Sequence, residues 1–169
     1  MIWLILCLAM LGFGVGAILG APYLPILRRD SERLLAMAQL KPGSTLIDLG
    51  CGDGRMLKLA AKQGIRSIGY EINPLLYVVS LIVTWPERRL VTIHLGNYWN
   101  ARLPKAETIY VFLLDRYMPK LATKLAKECD PDVHLISYIF EIPGAKAIQA
   151  SNNTFVYRVG DLVESPTKS

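Results

Sequence analysis

Apolar and polar positions divide the chain into a long uncharged run, a body of alternating strand-like and helix-like patterns, and a short polar tail. From Met1 to Leu27 no side chain is charged, and Arg28 and Arg29 are the first charges. As a helix, Ile2 to Ala21 alone would reach about 30 Å, the thickness of a bilayer's hydrocarbon core. Trp3 and Tyr23 stand near its two ends, where aromatic side chains favour the headgroup region, and Pro22 and Pro25 end or bend the helix. The pattern predicts one transmembrane anchor over residues 2–21. No Lys or Arg precedes the run, which argues against a cleaved signal peptide, and the run lacks the polar face of a buried core helix. Because Arg28 and Arg29 follow the span, the positive-inside rule predicts a single-pass protein whose body is cytoplasmic. Gly12, Gly16 and Gly20 recur at every fourth position, a ridge that lets a partner helix approach closely; glycine is also simply common in membrane helices.

Beyond the linker Pro22-Tyr23-Leu24-Pro25, Asp30 to Leu40 has helical periodicity, with Leu34, Leu35, Met37, Ala38 and Leu40 as the expected buried positions. Lys41-Pro42-Gly43 stops it. Strands are then expected over 44–49, 67–71, 90–95, 108–113 and 133–140, and helices over 54–63, 74–84 and 117–128. Pro74 suits a helix start. Strands separated by helices of this length predict an α/β fold: a mostly parallel sheet with helices on both faces. Residues 146–150 and 154–159, joined through Ser151-Asn152-Asn153, read as an antiparallel hairpin closing one edge. The expected organisation is an anchor and linker over 1–27, one domain over 28–163 and a tail over 164–169.

The chemistry concentrates after the first strand. Leu46-Ile47-Asp48-Leu49 runs directly into Gly50-Cys51-Gly52-Asp53-Gly54-Arg55, and Glu71 follows about one α/β unit later, ending the second strand. Such a turn shapes a nucleotide pocket at the carboxyl end of a first strand. The glycines are spaced G-x-G-x-G, and Arg55 stands where a dinucleotide fingerprint wants its third glycine. Asp48 also suits a ligand that carries an ammonium better than one that carries a diphosphate. Both features point to S-adenosylmethionine. Gly50 and Gly52 let the backbone approach the ligand, and the N-terminal N–H groups of the next helix suit the ligand's carboxylate. Glu71 can accept from both ribose hydroxyls, and Ile72 offers an apolar surface to adenine. Asn97, after the third strand, is the candidate for the adenine amino group, or else an ordinary Asn turn. The expected cofactor-binding set is therefore Asp48, Gly50, Cys51, Gly52, Asp53, Gly54, Glu71, Ile72 and Asn97.

Composition narrows the classes. The 169 residues suffice for one domain with a substantial core. The formal charge of +5 belongs wholly to the part after the anchor, and its Lys and Arg residues are scattered, so no nucleic-acid partner is expected. Cys7, Cys51 and Cys129 match no metal or redox spacing, Cys51 reads as a small loop residue, and His94 and His134 read as structural. No metal site is expected.

The blocks Asp48-Leu49-Gly50-Cys51-Gly52-Asp53-Gly54-Arg55, Gly69-Tyr70-Glu71-Ile72-Asn73-Pro74 and Ser137-Tyr138-Ile139-Phe140-Glu141-Ile142-Pro143-Gly144 resemble the small membrane-anchored class I methyltransferases. The resemblance is to those related to the mitochondrial lysine methyltransferases that act on the adenine nucleotide translocase and on the c-type ring protein of ATP synthase. It implies a seven-stranded, Rossmann-like sheet and a lysine acceptor on a membrane-associated protein. The acceptor channel is expected where the fourth and fifth strands end, with Leu114, Asp115, Ser137 and Tyr138 as wall residues. Asp115, Tyr138 and Glu141 are the candidates for a catalytic group, Asp115 being suited also to cap a helix. A lipid or small hydrophobic acceptor, and a non-catalytic cofactor-binding adaptor, remain as alternatives.

Overall fold

A computed structural model describes residues 28–162. The expected span 2–21, its glycine ridge and the tail 164–169 lie outside the described residues. Among the described residues no helix is long and apolar enough to cross a membrane.

The elements run α1 (Arg28–Ala38), β1 (Thr45–Leu49), α2 (Arg55–Lys62), β2 (Arg66–Glu71), α3 (Pro74–Thr84), β3 (Val91–Leu95), β4 (Thr108–Val111), α4 (Met118–Glu128), β5 (His134–Tyr138), β6 (Gln149–Ser151) and β7 (Thr154–Arg158). They form one seven-stranded sheet in the order β3-β2-β1-β4-β5-β7-β6. Neighbours from β3 to β5 are parallel, and β7 runs antiparallel to both β5 and β6. Only β7 is therefore reversed, so the expected antiparallel hairpin of the last two strands is present with β6 parallel to β1–β5.

Period-two burial explains the layers. On one face Leu46, Ile136 and Val156 meet Leu34, Leu35 and Ala38 of α1 and Met56 and Ala60 of α2. On the other, Ile47, Ile109, Leu135 and Tyr157 meet Met118, Leu121 and Leu125 of α4. Met37 and Leu40, expected in the core, are only partly buried. Gly69 marks the tightest approach of α2 and the glycine loop to the sheet: a Cβ there would stand 2.5 Å from Leu57 Cδ1 and 2.7 Å from Cys51 Sγ.

Two boundaries differ from the pattern for backbone reasons. β5 stops at Tyr138 because Ile139 takes φ 73°, a left-handed conformation that a β-branched residue rarely adopts. The hairpin turns on Asn152 and Asn153 alone, at φ 47° and 59°, as a two-residue primed turn requires, which shifts β6 to Gln149–Ser151.

Candidate active site

β1 and β2 end side by side, with Asp48 opposite Gly69 and Leu49 opposite Tyr70. β4 flanks β1 on its other side, so the chain reverses its direction of travel across the sheet at β1, the kind of switch point where open α/β sheets bind ligands. Gly50 leaves the strand at φ 98°, and the N–H groups of Gly50 and Cys51 both donate to the Tyr70 carbonyl at 2.9 Å. That shared acceptor folds the loop back over β2. A Cβ at Gly50 would meet no atom within 4 Å, so room for a ligand stands open above it.

Glu71 closes the loop's far side. Its Oε2 accepts from Gly52 N at 2.8 Å and its Oε1 from Asn73 N at 2.8 Å, and only 6% of the residue is exposed. With one backbone bond per oxygen, each retains a lone pair for a further donor, which suits two adjacent ribose hydroxyls. Asn73 also caps α3, its side chain accepting from Leu75 N and Leu76 N. Ile72 stands half-buried between these two anchors.

Asp48 is 3% exposed, and burial pushes its carboxyl well above the usual range, with Glu71 and Asp53 adding repulsion. Asp53 itself is neutralised by Arg55, whose Nε and Nη2 reach it at 2.6 to 3.0 Å. Tyr110, opposite Asp48 in the β1–β4 register, shares its face of the sheet, and its hydroxyl is buried without a hydrogen-bond partner. Burial, then Asp48, raises that phenol far above its ordinary value, so it keeps its proton. Cys51 is held as a neutral thiol by burial and by Asp48 and Glu71, which leaves it a small packing residue rather than a nucleophile.

This donor set fits S-adenosylmethionine. Three carboxylates converge and, among the described residues, a single guanidinium answers one of them, so a sulfonium and an ammonium would supply charge that balances the pocket. A diphosphate would meet the opposite field.

Asn97 lies at the same edge, since Gly96 N donates to the Glu71 carbonyl at 2.8 Å. Its Oδ1 accepts from Trp99 N at 3.0 Å, making the Asx turn that Asn favours. Asp115 opens a short 3-10 turn after β4. It is not the cap, a position held by Leu114, and its Oδ1 accepts from Arg116 N. Ser137 is buried with its hydroxyl on the Phe140 carbonyl. Glu141 is exposed. Tyr138 donates to Asp30 Oδ2 at 3.2 Å, and burial followed by Asp30 raises its phenol. Sequence reasoning missed Asp30, Tyr110 and the backbone role of Asn73. The Asn73-Pro74 pair carries a helix-start signal that marks Asn73; Asp30 and Tyr110 are brought in by packing alone.

The ANTKMT methyltransferase domain family matches residues 48–149. A protein-lysine N-methyltransferase of Saccharolobus islandicus is 33% identical over 129 residues, covering 73% of this chain and 79% of that one. The lysine N-methyltransferase of the ATP synthase c-subunit from Rattus norvegicus is 31% identical, with 72% of this chain and 57% of that one covered. The adenine nucleotide translocase lysine N-methyltransferase of Mus musculus is 30% identical, with 74% and 56% covered. The chain spans about half the length of the vertebrate ATP synthase relatives it matches. Among solved structures, an RNA methyltransferase from Salinibacter ruber in complex with S-adenosyl-L-homocysteine superposes with TM-score 0.74 at 26% identity, over 80% of this chain and 92% of that one. The glycine loop and the Glu71 clamp fall within residues 48–149, and the chain belongs to the ANTKMT methyltransferase domain family.

Proposed function

We propose that the chain methylates the ε-amino group of a lysine in a membrane-associated protein, using S-adenosylmethionine. In the same reading, residues 2–21 anchor it in the bilayer, with the catalytic domain on the cytoplasmic side. The observation that carries the transferase reading is the acidic, loop-bounded pocket in which Glu71 bridges Gly52 and Asn73. The acceptor class follows from relatives named as lysine methyltransferases, two kinds of which take their names from membrane proteins.

When bound, S-adenosylmethionine supplies a methyl group on a sulfonium for in-line attack by an amine. The chain's part is alignment, which lowers such barriers by several kcal/mol. Asp48 and Glu71 orient the cofactor by charge and by hydrogen bonds, and the Tyr70 carbonyl fixes the loop that carries it. A lysine must arrive neutral although its free pKa is ~10.4. Desolvation on entering an apolar approach lowers that value, so the reaction does not require a strong base.

The start of α1 supports a membrane-borne acceptor. Asp30, in the first turn of α1, meets Tyr138 at the carboxyl end of β5, the end of the sheet where the methyl would be offered. A tether there raises the effective concentration of embedded acceptors.

The test is transfer of labelled methyl from S-adenosylmethionine in membranes that contain the full-length protein. Label in a discrete protein band, recovered as methyl-lysine after hydrolysis, is the expected result. Label in the lipid extract or in nucleic acid would overturn the acceptor class.

A further inference from the structure

Helix α3 is inside out. Its sequence, Pro-Leu-Leu-Tyr-Val-Val-Ser-Leu-Ile-Val-Thr, is apolar, yet its two buried residues are the polar Ser80 and Thr84. They pack against Gly54, where an added Cβ would stand 3.0 Å from Ser80 Cβ and 3.0 Å from Thr84 Cγ2. Their hydroxyls are spent on the helix itself, Ser80 on the Tyr77 carbonyl at 2.7 Å and Thr84 on the Ser80 carbonyl at 2.8 Å. The outer face carries Leu75, Val78, Leu81, Ile82 and the following Trp85, exposed by 54, 50, 39, 70 and 63%. Positions 75, 78, 82 and 85 recur at helical spacing and make one stripe, with Leu81 beside it. A surface helix of a globular protein turns such a stripe inward. An outward stripe of five large apolar side chains marks a contact with something apolar.

The rim identifies the occupant. Arg88 and Arg89 follow Trp85 closely and are exposed, and the Arg88 guanidinium stands 4.8 Å from the Trp85 ring centroid. Lys62 ends α2, which packs beside α3, and Arg66 opens β2 at the same end of the sheet; both are exposed. Glu87 is the one acidic residue between Leu75 and Arg89, and its Oε2 is buried. An apolar stripe that ends in a Trp and a cationic rim matches the boundary between acyl chains and anionic headgroups. The same face of a second copy would offer these cations no exposed anion, and an uncharged peptide would leave them unanswered.

We propose that the outer face of α3 lies on an anionic bilayer, with the helix axis in the membrane plane, the Leu75–Trp85 stripe in the acyl boundary and Arg88 and Arg89 among the headgroups. This contact stands on α3 and its rim, and it holds whether or not residues 2–21 span the membrane and whatever the methyl acceptor is.

The test uses the full-length protein with Ile82 replaced by photoreactive benzoylphenylalanine, or with Lys120 of α4 so replaced as the control. Each is mixed with vesicles of phosphatidylcholine, with or without phosphatidylglycerol, illuminated, and analysed by mass spectrometry. A lipid adduct is expected at position 82 on vesicles that contain phosphatidylglycerol. It should fall several-fold when phosphatidylglycerol is omitted or when Arg88→Ala and Arg89→Ala are combined, and position 120 should give none. An adduct to the chain itself or to a second copy would overturn the proposal, as would equal lipid adducts at both positions or none at 82. Vesicle flotation of the same samples separates the two membrane claims: a chain that floats without a lipid adduct at 82 keeps its anchor and loses this contact.

Discussion

Asp48 and Glu71 are both buried carboxylates, but they answer to different physics. Glu71 holds one backbone N–H on each oxygen, and no uncharged side chain reproduces that. In Glu71→Gln one of the two N–H donors faces an amide NH2 instead of an acceptor. Loss of a hydrogen bond to a charged group costs about 1.5–3 kcal/mol. Affinity for S-adenosylmethionine, measured by equilibrium dialysis, should fall roughly tenfold or more by the same conversion. Asp48 has no such support and is raised, first by burial and then by Glu71 and Asp53. Its folded-state value exceeds its unfolded one, so its contribution to stability is fully present below the ordinary carboxylate range and is lost as pH rises through the raised value. Denaturation across that window should show the loss in the native chain and a flatter profile in Asp48→Asn. Cofactor binding has the opposite sign: a cation beside Asp48 favours its ionised form, so binding expels a proton and affinity climbs with pH over the same window. In Asp48→Asn binding should be weaker and that climb absent.

At the scale of elements, Asn73 does two jobs at one point in the chain. Its backbone N–H clamps Glu71 while its side chain caps α3. Asn73→Ala removes the cap, so a thermal or chemical melt should lose about 1 kcal/mol or more. The Glu71 bond, made by the backbone, should survive, and cofactor affinity should change far less than in Glu71→Gln. The order of strands and helices was legible because each follows from local periodicity, and the glycine loop with Glu71 was legible because its spacing reflects the chemistry of a nucleotide turn. The end of β5 was not, since nothing in Ser-Tyr-Ile-Phe announces a left-handed Ile139. The orientation of α3 was equally hidden. A run of eleven residues with two polar positions reads as a helix either way round, and only the crowding of Gly54 against Ser80 and Thr84 decides which side turns inward. Asp30 and Tyr110 were silent for a related reason, because their neighbours come from strands and helices distant in sequence.

For the whole molecule, α1 is the element that ties the beginning of the body to its end. It packs on α2, but also on β5 and β7, and Arg33 Nη2 donates to the Asn152 carbonyl at 3.1 Å across 119 residues. Tyr138 reaches Asp30 across 108. Contacts of such sequence separation form late, because a long loop must close before they return any energy. A ribosome adding about 5–20 residues per second needs on the order of ten seconds to supply the hairpin that α1 docks against. Of the described helices, the one synthesised first is therefore the last to complete its contacts, and until the hairpin arrives only α2 holds it to the body.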